Sequence, residues 1–157
     1  MIDKRRDAEN KTLRLRDSVV KKYKMNDITN REDLTQLMES FYHKALQDDI
    51  IGYFFTEVAP LKMETHIPLI VDFWETIVFD KAKYQRNVFG VHEHLHQLSA
   101  FKDEHFNRWV FLFKETINEQ FLGEKAEMIK QKAESIATVM KIKLVHSGVG
   151  ISKNISL

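Results

Sequence analysis

The 157 residues include no cysteine, which excludes disulfides, thiolate metal ligands, iron–sulfur clusters and cysteine nucleophiles together. That composition suits a reducing compartment, and a cytoplasmic location is expected. Glycine and proline are scarce, at five and two residues, so tight turns are few and a mostly helical chain is favoured. No apolar run reaches membrane-spanning length, and the opening MIDKRRDAENK lacks the apolar segment of a signal peptide. Membrane insertion is therefore not expected. There is also no glycine-rich phosphate loop, no GxSxG and no dinucleotide fingerprint, which leaves conventional kinase, hydrolase and dehydrogenase chemistry without its usual parts.

What is present describes one globular domain. A hydrophobic content of 43% and a charged content of 30% are ordinary for such a chain, and its length is enough for a sizeable core. Eleven Phe and two Trp make the interior aromatic, as a plain core or as the lining of a pocket for a flat apolar ligand. The net charge of +1 is unevenly spread: residues 1–24 carry nine Lys/Arg against four Asp/Glu. Without interleaved aromatics or a recognition motif, that basic arm reads as a solvated extension and not as a nucleic-acid-binding element. The expected organisation is a basic extension over 1–26, a domain over 27–145 and a flexible tail over 146–157.

Periodicity supplies the elements. Leu15, Val19 and Tyr23 recur at every fourth position, which allows a short, loosely docked helix within 12–24. Asn30 is the expected N-cap of the first strong helix, with Glu32 and Asp33 in its first turn, where carboxylates suit the helix dipole. Leu34, Leu37, Met38, Phe41 and Ala45 then mark one face to about residue 46. The connection DDIIGYFFTEVAPL carries the aromatic block Tyr53, Phe54 and Phe55. A second helix is expected from about Leu61 to Phe79, with His66, Ile70, Phe73 and Ile77 along one stripe. Pro68 lies inside it and would cost about 3 kcal/mol in a true helix interior, so the regular helix should begin near it or keep a kink there. A long helix from Lys102 carries Phe106, Trp109, Val110, Phe113 and Ile117, and Gly123 ends it. The last helix carries Ile129, Ala133, Ile136, Ala137, Met140 and Leu144. Nothing alternates long enough for a strand. The fold class is all-α, and the carboxylates fall on helix faces where solvated charge explains them.

The segment GVHEHLHQL sets His92, His94 and His96 at alternate positions. On a strand all three would share a face and could chelate zinc for hydrolysis; on a helix His92 and His96 share a face while His94 points away. The helical setting removes the natural scaffold of a three-histidine site, and no HExxH spacing accompanies it. Taken singly, His66 reads as a core or boundary histidine, Tyr42 as a boundary tyrosine and Trp109 as a core aromatic.

Their order and spacing together resemble a known family. The runs SFYHKALQDDIIGYFF, HIPLIVDFWETIVF, YQRNVFGVH, HFNRWVFLFKETI and KAESIATVMKIKL are similar to those of truncated haemoglobins of group III, over about residues 27–144. The resemblance implies a globin-like, truncated 2-on-2 helical sandwich with a short extra N-terminal segment, and haem b as cofactor. It implies Tyr42 as the distal tyrosine, Phe55 as the phenylalanine on the haem, His66 as the distal histidine, Trp74 beside the haem and Trp109 as the distal tryptophan. His92 is implied as the iron ligand, with His96 as its rival, and His94 as solvent-facing or near a propionate. Where the family often has Gly-Asn-Pro before that ligand, this chain reads Arg86-Asn87-Val88. The implied function is reversible binding of O2, and of CO, NO or sulfide, with hydrogen-bond donors slowing oxygen release. Such a protein suits sensing, scavenging or redox work, including NO dioxygenation or peroxidase-like turnover with a reductase partner, better than bulk transport. A monomer or weak dimer is expected. The alternatives are a haem-free regulatory or scaffold domain on the same fold, and a zinc hydrolase using His92, His94 and His96.

Overall fold

A computed structural model describes residues 7, 9–16, 25–82 and 84–146. Residues 9–16 are helical; the remainder of the expected N-terminal helix (17–24) and the tail 147–157 lie outside the described residues. The domain is built from α1 (Arg31–Ala45), α2 (Met63–Phe79), α3 (Val88–Leu98), α4 (Asp103–Gln120) and α5 (Glu124–Lys141), with π-helical turns at Phe54–Val58 and Ile142–His146. No strand occurs among the described residues, and no helix among them is long and apolar enough to cross a membrane.

The helix starts follow their local chemistry. Asn30 Oδ1 accepts the Asp33 N–H at 2.9 Å, and the Asp33 carboxylate accepts the N–H groups of Thr29 at 2.8 Å and Asn30 at 3.3 Å. This reciprocal box satisfies donors that the first turn of a helix leaves open. It turns Leu34, Leu37, Met38, Phe41, Tyr42 and Ala45 inward, all buried. α2 begins at Met63, close to the expected Leu61, and runs through Pro68. The missing proline N–H would have served the carbonyl of Glu64. Both residues are exposed, so water can supply that carbonyl with a donor. α2 then ends at Asp80 in the left-handed region, φ 53°, which Asp tolerates better than most residues.

Four helices form two packed pairs. α1 lies against α2 and α4, and α5 lies against α4 and α2, giving the two-over-two arrangement. Its centre is an aromatic stack in which Phe113, fully buried, is sandwiched between Trp109 (centroids 5.1 Å apart, 17° between planes) and Trp74 (5.2 Å, 22°). Phe41 meets Phe113 edge-on at 5.2 Å and Trp109 at 5.7 Å. Pairs of this kind contribute roughly 0.5–1.5 kcal/mol each beyond the area they bury. α3 stands apart: it buries none of its residues.

Two carboxylates correct the solvated-face expectation. Glu75 is fully buried and pairs with Arg31 and, at 3.3 Å, with Lys81. The Arg31 guanidinium also reaches Asp72 at 2.6 Å, which fastens the start of α1 to α2. A carboxylate removed from water needs such partners. Asp27 is the second, accepting the Lys125 and Ala126 N–H groups at 2.9 Å each and so capping α5 from outside the helix. Gly123 precedes that helix with φ 156°, and any Cβ there would collide with the Asp27 side chain. Glycine is required on both counts.

Burial by itself would raise the Asp27 carboxyl, but hydrogen bonds from the Lys125, Ala126 and Ile28 N–H groups, with the Lys125 charge, outweigh it and hold the group below its ordinary 3.8. A depressed folded value stabilises above the unfolded pKa, and that stability is lost as pH falls through the folded value. Asp27→Ala should therefore destabilise the protein at pH 7 by about 1–2 kcal/mol, the worth of a helix cap. Urea unfolding should show the gap from the native protein closing as the pH drops below 3.8.

Candidate functional site

One wall of the site comes from α1, the first π-helical turn and α2. Tyr42 is buried at the inner end of α1, edge-on to Phe55 at 5.7 Å and to His66 at 4.9 Å. The Tyr42 hydroxyl and His66 Nε2 share a hydrogen bond of 2.7 Å. Trp109, partly buried on α4, joins this group through Phe41, which contacts both Tyr42 (5.1 Å) and Trp109 (5.7 Å). Burial raises the Tyr42 phenol well above its ordinary value of 10.0, so the hydroxyl keeps its proton and can donate. Trp74, by contrast, sits in the core at 2% exposure behind Phe113.

The facing wall is α3. Asn87 caps it, its side chain accepting the Gly90 N–H at 3.0 Å, and His92 and His96 fall one turn apart on the same face. His94 is exposed. The two partly buried histidines differ in their partners. His92 Nδ1 lies 2.9 Å from the Val88 carbonyl oxygen, and an oxygen that can only accept requires the proton on Nδ1. The lone pair is then left on Nε2. His96 Nδ1 instead accepts the Phe101 N–H at 2.9 Å, which puts its lone pair on Nδ1 and its proton on Nε2. His92 thus offers a ligating Nε2, and His96 a donating one.

Electrostatics link the two walls. Burial lowers the His66 pKa, and the charge of His92 lowers it further. Burial lowers His92 too, opposed in part by the Val88 hydrogen bond. Both shifts favour the neutral imidazole at neutral pH. Among the described residues no group of three His, Asp or Glu side chains is placed to hold a metal ion, so the zinc arrangement of His92, His94 and His96 has no geometric basis. An open groove of about 850 Å³ on α4 and α5 is lined by Phe106, Val110, Phe111 and Ala137 among others; it shares no residue with these walls.

Sequence reasoning named Phe54 only as part of an aromatic block and passed over Phe101 and the role of His105. The Phe101 ring lies 4.7 Å from Phe54, 5.8 Å from His96 and 6.4 Å from His92. His105 is buried and its Nδ1 accepts the Lys102 N–H at 3.0 Å. An acceptor at the third residue of a helix was the available signal for His105. Phe101 gives none, because a lone aromatic in a connector has no periodicity.

Two outcomes are expected. Long-range proton–nitrogen NMR spectra at pH 8 should show His92 protonated on Nδ1 and His96 on Nε2; the reverse assignment would contradict the hydrogen bonds above. His66, His92 and His105 all have lowered values, led in each case by burial. A histidine lowered in the folded state makes the unfolded chain the stronger proton binder, so stability decreases as the pH is lowered. The urea midpoint should therefore drop as pH falls below the ordinary 6.5, and His105→Gln should flatten that dependence.

No protein-family model matches the chain. A curated relative, the group 3 truncated haemoglobin ctb of Campylobacter jejuni, is 31% identical over 112 residues, spanning 69% of this chain and 86% of the relative. The crystal structure of group III truncated haemoglobin from Campylobacter jejuni superposes with a TM-score of 0.68 at 26% identity, covering 78% of this chain and 96% of that one. The two-over-two sandwich, the Tyr42–His66 wall and the His92 helix thus occur in a chain that belongs to the group III truncated haemoglobin family.

Proposed function

We propose that this chain binds haem b through His92 Nε2 and takes O2, CO, NO or sulfide on the side of Tyr42, His66 and Trp109. The observation that carries the reading is the His92 tautomer: Nδ1–H is tied to the Val88 carbonyl at 2.9 Å. That bond fixes the ring and leaves Nε2 free, as metal-binding imidazoles are held in general. The donor set fits the group as well. Phe55 and Phe101 are flat apolar surfaces, His92 supplies one neutral nitrogen, and the opposite wall supplies hydrogen-bond donors. When bound, haem supplies an iron that accepts one protein ligand and holds one small molecule.

The chain's own residues then do three things. His92 would hold the iron through Nε2. Tyr42 and His66 divide their 2.7 Å hydrogen bond so that only one proton lies between them. If His66 Nε2–H donates, the Tyr42 hydroxyl proton is released to point at a polar ligand. If Tyr42 donates, that proton is held back. Trp109 adds an indole N–H donor. Polar donors of this kind would favour O2, the more polar of the two as a haem ligand, over CO. Slow oxygen release suits sensing, scavenging or redox turnover with a reductase, such as NO dioxygenation or peroxidase-like chemistry, better than bulk transport.

Haem titration of the purified protein should saturate at one equivalent, with a Soret band that shifts on adding CO. Absence of saturable haem binding would favour the regulatory-domain alternative. His92→Ala should abolish the five-coordinate ferrous spectrum, whereas His96→Ala should keep it. A neutral hydrogen bond is worth about 1 kcal/mol, so Tyr42→Phe and Trp109→Phe should each speed O2 release by roughly five- to tenfold. CO release should change much less. Unchanged O2 rates in both variants would refute the donor roles.

A further inference from the structure

The helix that carries His92 has no fully buried apolar residue. α3 buries none of its residues, and Val91 and Leu98 are more than half exposed. A helix normally has its rotation about its own axis set by a buried apolar stripe, and here that stripe, Val88, Phe89 and Leu95, is only half-buried. The rotation still matters, because it decides where Nε2 of His92 points.

The contacts that remain converge on the connector after α3. His96, one turn beyond His92, accepts the Phe101 N–H at 2.9 Å, and its ring lies over the Phe101 ring at 5.8 Å and 29°. Phe101 is itself braced, 4.7 Å from the buried Phe54. The next N–H along the chain, that of Lys102, is accepted at 3.0 Å by Nδ1 of the buried His105, on α4. Consecutive backbone donors are therefore gripped by two imidazoles, one from each flanking helix. At the other end of α3, Lys143 lies 4.9 Å above the Phe89 ring, an exposed contact of modest strength. The Phe101 clasp is the more directional of the two, since it joins a hydrogen bond to a ring stack on one residue.

We propose that His96 is a positioning residue. Through Phe101 it fixes the rotation of α3 and so aims His92 Nε2 into the pocket. The inference rests on the proposed role of His92 and gives the second histidine a task that excludes it from ligation. An imidazole whose Nδ1 lone pair holds the Phe101 N–H has its proton on Nε2 and no second lone pair for iron. The clasp also joins the two sides of the pocket. Phe101 touches His92 on one side and His105 on the other, and His105 lies one turn before Trp109 on α4.

The test compares His96→Leu, which removes the acceptor, with His96→Asn, whose carbonyl can take the Phe101 N–H, in the full chain. In the haem-free protein, hydrogen exchange at the Phe101 amide should speed up on the order of tenfold in His96→Leu, the loss of about one hydrogen bond's protection. His96→Asn should stay near the native rate, and the Lys125 and Ala126 amides, held by Asp27, should be unchanged in both. In the haem-loaded ferrous protein, the iron–histidine stretching band in the resonance Raman spectrum should shift or broaden in His96→Leu and return in His96→Asn. Unchanged Phe101 exchange in His96→Leu overturns the clasp, whatever the haem result. Faster exchange with an unmoved iron–histidine band overturns the positioning role. A native protein with no iron–histidine band at all overturns the His92 reading, and the aim assigned to His96 falls with it.

Discussion

The stack of Trp74, Phe113 and Trp109 is the constraint on which the rest of the arrangement depends. Phe113 is enclosed on both faces and met on its edge by Phe41, so α1, α2 and α4 must meet at one point with little freedom of register. Close-packed interiors do not deform continuously. Once Phe113 is seated, Trp109 is held on one side of it, toward Phe41 and the pocket, while Trp74 is confined to the core. The two tryptophans look equivalent by composition, and their positions relative to one phenylalanine separate them.

Charge fastens the ends of this assembly. Glu75 draws Arg31 onto α2, and Asp27 holds the first turn of α5. These contacts work because the groups have few competing waters, and a buried carboxylate left unpaired would cost more than the pair contributes. The same economy of water governs the pocket. Burial keeps the Tyr42 phenol protonated and lowers both His66 and His92, so the uncharged form of each is favoured.

α3 obeys a different rule. Its inner side chains are only half-buried, so hydrogen bonds and ring contacts add to the weak orienting effect of its apolar burial. This is also why two histidines one turn apart, chemically identical in sequence, become opposites in place. One bonds an acceptor within its own helix and the other a donor beyond it. The proton on each ring is set by that partner.

Local patterns in the chain determined the all-α class, the Asn30 cap, the start of α5 after Gly123 and the apolar faces of α1, α4 and α5, because capping and helical periodicity act within a few residues. Membership of the truncated haemoglobin family was legible too, since spaced motifs survive without knowledge of contacts. Pro68 was placed inside its helix from the sequence, but how it is tolerated was not legible, because nothing local shows that the affected carbonyl faces water. Glu75 was misjudged as solvated, because its partner Arg31 lies 44 residues away. Only the tertiary structure set Trp74 in the core and Phe101 between the histidines, and only it gave His92 and His96 their different tautomers. Each of those outcomes depends on which group, distant in sequence, arrives within hydrogen-bonding or van der Waals reach.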